Sequence, residues 1–420
     1  MPYYRSVGQV PRKRHTQFRR PDGGLYAEEL MGIEGFSHDS ALLYHRYLPT
    51  AIVAAEAVDE PDGVRQTRAN HPLLPRHLLT HKLDASGGDA VTGRQLLMGN
   101  ADVRILYAVA DRPSPLYRNA IGDELVYIES GSGVLETVFG AMAVGPGDYV
   151  VLPTSTTHRW VPDVASGGSA AGGSDAGDPL RLLVCEATGH VGPPRRYLSP
   201  RGQLLEHSPY CERDLRGPSE PLVFAGPPAE AENVEVLVRH RQGVTRYTYA
   251  NHPFDVVGWD GCLYPYAFSI KDFEPITGRL HQPPPVHQTF EGPGFVICSF
   301  VPRLFDYHPE SIPAPYNHSN VDSDEMIFYV GGDFMSRKGA GIEMGSITLH
   351  PSGFTHGPQP GSVEASIGAV RTEEYAVMVD TFRPLDLAAA AFACEDEAYP
   401  WTWAGASARL TGPDDGAHAG

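Results

Sequence analysis

The residues of this chain best placed to do chemistry are in the stretch His318-Ser-Asn-Val-Asp-Ser-Asp-Glu325, answered after a run of β-type residues by His356. Two neutral imidazoles and one carboxylate form the set that holds ferrous iron on one face and leaves the opposite positions open. An ion held that way can bind an organic molecule and O2 together, so the pattern points toward oxygen chemistry. Alternate residues of a β-strand face the same side. His318 and Asn320 would therefore point together into an interior, with a carboxylate at the head of the next strand and His356 on a strand paired nearby. Asp324 competes with Glu325 for the carboxylate role. One of 18 histidines is by itself an ordinary hydrogen-bonding residue; the argument rests on the combination and its spacing.

Such a site needs elements to position it. The 45 glycines and 38 prolines are spread along the chain and punctuate short β-branched and aromatic runs, the pattern of an all-β sandwich or barrel. Strands are expected at residues 124–129, 134–139, 149–152, 295–300, 326–330 and 375–379. Short helices are expected only at residues 24–30 and 386–394. Two segments share one layout. Asn119, Glu124-Leu-Val-Tyr-Ile, Gly145-Pro-Gly-Asp-Tyr-Val-Val-Leu-Pro and His158 are matched by His318, Glu325-Met-Ile-Phe-Tyr-Val, Gly345-Ser-Ile-Thr-Leu-His-Pro and His356. Such self-similarity predicts a duplicated β-barrel unit. Asn119 stands where the first histidine would fall, so the first copy is expected to be structural and the second to hold the metal.

Composition narrows the partners. With 51 acidic against 33 basic residues the formal net charge is −18, a surface that repels phosphate backbones and argues against nucleic acid. The basic run Arg12-Lys-Arg-His-Thr-Gln-Phe-Arg-Arg20 reads as a solvated arm or an inter-subunit contact. Five scattered cysteines without a C-x-x-C pair fit reduced thiols. No stretch has the roughly 20 apolar residues needed to span a bilayer, and Met1-Pro-Tyr-Tyr-Arg5 does not resemble a signal peptide. The expectation is a soluble cytoplasmic protein without a membrane partner. Its divisions would be residues 1–250 with the degenerate barrel, 251–410 with the catalytic barrel, and a disordered tail at 411–420. The Gly/Ser/Ala tract at 164–178 reads as a surface loop.

The repeat spacing resembles the two short motifs of the cupin family, whose jelly-roll barrels hold metals. Glu325 lies seven residues before Gly332, as the cupin carboxylate does before its turn glycine, which favours it over Asp324. The run Asn251-His-Pro-Phe-Asp-Val-Val-Gly-Trp-Asp-Gly-Cys-Leu-Tyr-Pro-Tyr266 further resembles the long motif of the homogentisate 1,2-dioxygenases, which are bicupins. It is joined by Lys271-Asp-Phe-Glu-Pro-Ile276, Phe300-Val-Pro-Arg303, Pro315-Tyr-Asn-His318-Ser-Asn320 and Thr355-His-Gly-Pro358. The resemblance is strong over residues 250–385 and loose before them.

It implies a mainly β fold of two jelly-roll cupin barrels, the C-terminal one binding Fe(2+) through His318, Glu325 and His356. It also implies a catalytic histidine upstream. His281, in His281-Gln-Pro-Pro-Pro285, aligns best with it and His287 is the runner-up. An imidazole suits proton transfer to and from a phenol because it titrates near neutrality. His350 would orient a ligand or the substrate, beside Asn320. Where relatives place a tyrosine that contacts a substrate oxygen, this chain has Phe334, and one extra residue separates Asn320 from Glu325. The implied reaction converts homogentisate and O2 to maleylacetoacetate in tyrosine and phenylalanine catabolism, by a homo-oligomer, trimer or hexamer. Phe334 keeps open a related dioxygenase for another hydroxylated aromatic acid such as gentisate. A non-catalytic ligand-binding bicupin is the rival from outside enzymology.

Overall fold

The computed structural model describes all residues except 1–2, 59–65, 84–87, 165–176, 283, 335–338 and 405–420. The tail at 411–420 and most of the Gly/Ser/Ala tract thus lie outside the described residues. The chain is mainly β, and its described residues form sheets of nine, seven, six, four and two strands.

Strand alternation explains how the larger sheets share a core. In strand Glu124–Ser130, Val126 and Ile128 join one apolar cluster, whereas Leu125 and Tyr127 join another. Strand Asp324–Gly331 divides the same way: Met326 and Phe328 enter the second of those clusters, and Ile327 and Tyr329 turn to the opposite side. The two strands therefore press one face toward each other, with Phe328 edge-on to Tyr107 and Tyr127 at 6.3 Å. The other face of each looks into its own barrel. A buried hydrogen bond between the Tyr149 and Ser299 hydroxyls, 2.8 Å, ties the nine-stranded sheet to the six-stranded one.

The duplication is visible in the pairing. Glu124–Ser130 lies between Asp148–Leu152 and Leu180–Ala187, and Asp324–Gly331 lies between Ser346–His350 and Tyr375–Thr381, all antiparallel. The barrels are cupin-like but not closed. The first has a filled interior of Leu96, Val126, Leu135, Trp160 and neighbours, roofed by the seven-stranded sheet. Among the described residues the second is roofed by a two-stranded ribbon, Arg303–Leu304 with Arg371–Thr372, and by an isolated bridge between His318 and His356. Its interior cluster is small, which leaves room for a cavity.

The two expected helices change. Residues 24–30 are not helical: Ala27–Gly32 is a strand, captured by pairing with Ser40–His45. In 386–394, Asp386–Ala388 is a strand and only Ala389–Ala393 is helical, because Asp386 and Leu387 pair with Gly99 and Met98 and Ala388 pairs with Thr67. Sheets also run across residue 250. Tyr266–Ser269 pairs with Asp148–Leu152 of the first barrel, and Arg76–Leu79 pairs with Ser346–His350 of the second. The basic run is strapped to its own chain, Arg14 pairing with Asp260 at 3.0 Å and Arg20 donating to the Arg46 carbonyl at 2.7 Å.

Candidate metal centre

Glu325 is carried on the inward side of strand Asp324–Gly331, the same side as Ile327 and Tyr329. Asp324 points away. Its two oxygens accept from the backbone N–H groups of Ser352, 2.9 Å, and Leu385, 2.8 Å, so it pins two loops. His356 is not on a regular strand. It exchanges both backbone hydrogen bonds with His318, at 2.8 and 2.9 Å, and this one bridge sets the two imidazoles side by side. The ligand atoms of His318, Glu325 and His356 all lie within 4.8 Å of one another.

The hydrogen bonds fix which nitrogens face inward. Nδ1 of His318 donates to the Tyr316 carbonyl at 3.1 Å, and Nδ1 of His356 to the Phe354 carbonyl at 3.2 Å. A carbonyl can only accept, so in the neutral rings the proton sits on Nδ1 and Nε2 presents its lone pair. Those Nε2 atoms stand 3.5 and 3.3 Å from the Glu325 oxygens. Two lone pairs facing a carboxylate repel unless a cation lies among them, and Nε2 of His356 is buried without a hydrogen-bond partner. The donor set therefore fits a metal ion. The third histidine, His350, is fully buried and braces Glu325: its Nδ1 donates to Oε1 at 2.9 Å, and its Nε2 accepts from the Tyr399 hydroxyl at 2.9 Å. Burial alone would raise the Glu325 pKa, but the imidazoles of His318, His350 and His356 gathered around the carboxyl outweigh it and hold it well below the usual range.

His318 and Glu325 line a cavity of about 250 Å3, whose walls also include Phe300, Ile327, Tyr329 and Met378. His281 and His287 both line it. His281 lies 3.5 Å from Asp306 and is about half exposed. His287 is buried against Phe300, with its Nδ1 unpartnered, and burial pushes its pKa down to about 3. Two expected residues stand elsewhere. Asn320 is not in the cavity wall; its amide lies 3.5 Å from Asp380. Phe334 packs behind Tyr329, ring centroids 5.0 Å apart, and it is Tyr329 that reaches the cavity. Strand alternation could have singled out Tyr329, which is four residues beyond Glu325.

The first barrel answers the same positions differently. Arg94 places both terminal nitrogens 2.9 Å from the Glu124 oxygens and reaches Glu186 at 3.1 Å; Asn119 donates to Glu124 at 2.9 Å. A buried guanidinium fills the place where a metal would sit.

This architecture and site are those of a cupin-type dioxygenase, and sequence comparison agrees. The chain is 39% identical over 411 residues, 96% of its own length and 99% of the relative's, to a protein of Saccharolobus solfataricus named "Putative dioxygenase". It is 25% identical to the homogentisate 1,2-dioxygenases of Emericella nidulans, covering 84% of this chain and 80% of that one, and of Rhodopseudomonas palustris, covering 84% and 78%. The chain belongs to this dioxygenase family, with the homogentisate 1,2-dioxygenases as more distant members. No protein-family model matches it. Among solved structures, a cupin 2 conserved barrel domain protein from Leptotrichia buccalis aligns over 76% of this chain and 100% of that one at 9% identity, with a TM-score of 0.31.

Proposed function

We propose that this chain is a ring-cleaving dioxygenase that uses Fe(2+) held by His318, Glu325 and His356, with homogentisate as substrate. The observation that carries the reading is the convergence of two Nε2 lone pairs and one carboxylate beside an apolar cavity, in a chain whose relatives include homogentisate 1,2-dioxygenases. When bound there, the metal would supply Lewis acidity and open positions for a phenolate and O2.

The chain supplies the rest. The walls of Phe300, Ile327 and Met378 accept an aromatic ring and exclude water. His281 is the group to take up the phenolic proton: it keeps contact with solvent and has the Asp306 carboxylate beside it to steady an imidazolium. His287 is a poorer base, since burial keeps it neutral. His350, held by Tyr399, fixes the Glu325 carboxylate.

The test is O2 uptake by Fe(2+)-loaded protein, with homogentisate and gentisate in parallel and product followed by absorbance. Uptake with homogentisate and formation of a ring-opened product are expected. Gentisate turnover alone would reassign the substrate, and no turnover of either acid by iron-loaded protein would sink the enzymatic reading.

A further inference from the structure

The cavity wall contains a cation, Arg303, that forms no ion pair among the described residues. Arg303 opens the short strand Arg303–Leu304, which pairs with Arg371–Thr372 to roof the second barrel. Its side chain lines the same cavity as His318 and Glu325. Its Nη1 is buried and has no hydrogen-bond partner. Asp306 and Glu374 share the wall, but the contact shown for Asp306 is with His281. Burial works against the charge, and these two carboxylates only partly offset it.

A buried guanidinium nitrogen with an empty donor position is costly, and such groups normally find an acceptor. Glu325, Asp306 and Glu374 make this cavity acidic, so a free carboxylate would be repelled from every part of the wall except the part held by Arg303. A planar fork of N–H donors matches a carboxylate in geometry as well as charge. The same wall carries the apolar side chains of Phe300, Ile327 and Met378, which suit the ring of a molecule with a phenolic head and an acidic tail.

We infer that Arg303 is the receptor for the carboxylate of an aromatic acid whose phenolic end lies at His318 and Glu325. The assignment rests on the dioxygenase reading for the orientation of the ligand but not for its existence. It makes Arg303 a specificity residue, selecting acids over neutral phenols of the same shape.

The test is calorimetric binding of 4-hydroxyphenylacetate and its neutral counterpart 4-hydroxyphenylethanol to the full chain, as wild type, Arg303→Gln and Arg303→Lys. Wild type should prefer the acid by on the order of 10- to 100-fold, the value of a charge-assisted hydrogen bond. Arg303→Gln should bring the ratio close to one by weakening the acid alone, and Arg303→Lys should restore part of it. Unchanged binding of the alcohol shows that the cavity has stayed folded. An acid preference that survives in Arg303→Gln, or its absence in wild type, overturns the assignment. Arg303-dependent binding of the acid together with no O2 uptake by iron-loaded protein given homogentisate or gentisate would instead overturn the dioxygenase reading and leave this one standing.

Discussion

At the residue scale, neighbours in sequence have opposite duties. Glu325→Ala should abolish Fe(2+) binding, measured by metal analysis after desalting. Asp324→Ala should keep the metal but lower stability by about 1–3 kcal/mol in denaturant melts, the cost of leaving buried N–H donors unpaired. Metal loss in Asp324→Ala with retention in Glu325→Ala would shift the ligand register by one. For the histidines, His281→Ala should retain iron and lose turnover by about 100-fold or more, whereas His287→Ala should chiefly alter cavity packing. Full turnover in His281→Ala would transfer the proton to His287. The carboxylate and both histidines were legible because their types and spacing are unusual together. Arg303 was not, since a lone arginine in a Pro-rich stretch looks like surface until its burial is seen.

At the scale of elements, period-two alternation accounts for most of what could be read. It sends Glu325, Ile327 and Tyr329 to the cavity and Met326 and Phe328 to the inter-barrel core. It failed at Ala27–Gly32, where a segment with weak β signal is made a strand by its neighbour Ser40–His45, a long-range pairing that local pattern does not contain. The run around Trp259, which carries the strongest family resemblance, proves architectural. Trp259 is fully buried and donates to the Phe139 carbonyl at 2.7 Å, docking the four-stranded sheet onto the first barrel. In that barrel, Arg94→Met should destabilise by about 3–5 kcal/mol, because Glu124 would remain buried without its cation. A chemical denaturation curve indistinguishable from wild type would show that Arg94 is not the counter-ion.

At the scale of the whole molecule, the halves are woven together, and one buried network ties their stability to pH. His45 lies between Asp255, 2.6 Å from Nδ1, and Glu29, 2.9 Å from Nε2. Burial opposes its charge, but hydrogen bonds to Asp255 and Glu29 prevail and raise its pKa from 6.5 to about 9. The folded state thus holds this proton more tightly than the unfolded chain does. The resulting stability is complete below about pH 6.5 and is lost as pH climbs through about 9, a change on the order of 3 kcal/mol. Thermal melts from pH 6 to 10 should fall across that window, and His45→Gln should flatten the fall. A melting temperature independent of pH in wild type would remove the charged network. No helix of the described residues is long and apolar enough to cross a membrane.

The guanidinium in the first barrel also bears on how the protein meets metal scarcity. In the proposed reading one copy of the duplicated fold would draw its positive charge from the medium, whereas the other carries it as a side chain that cannot be chelated or exchanged. Starving the protein of metal should therefore silence it without dismantling its N-terminal half. Restoring the missing histidine with Asn119→His should recruit no second ion while Arg94 keeps the seat.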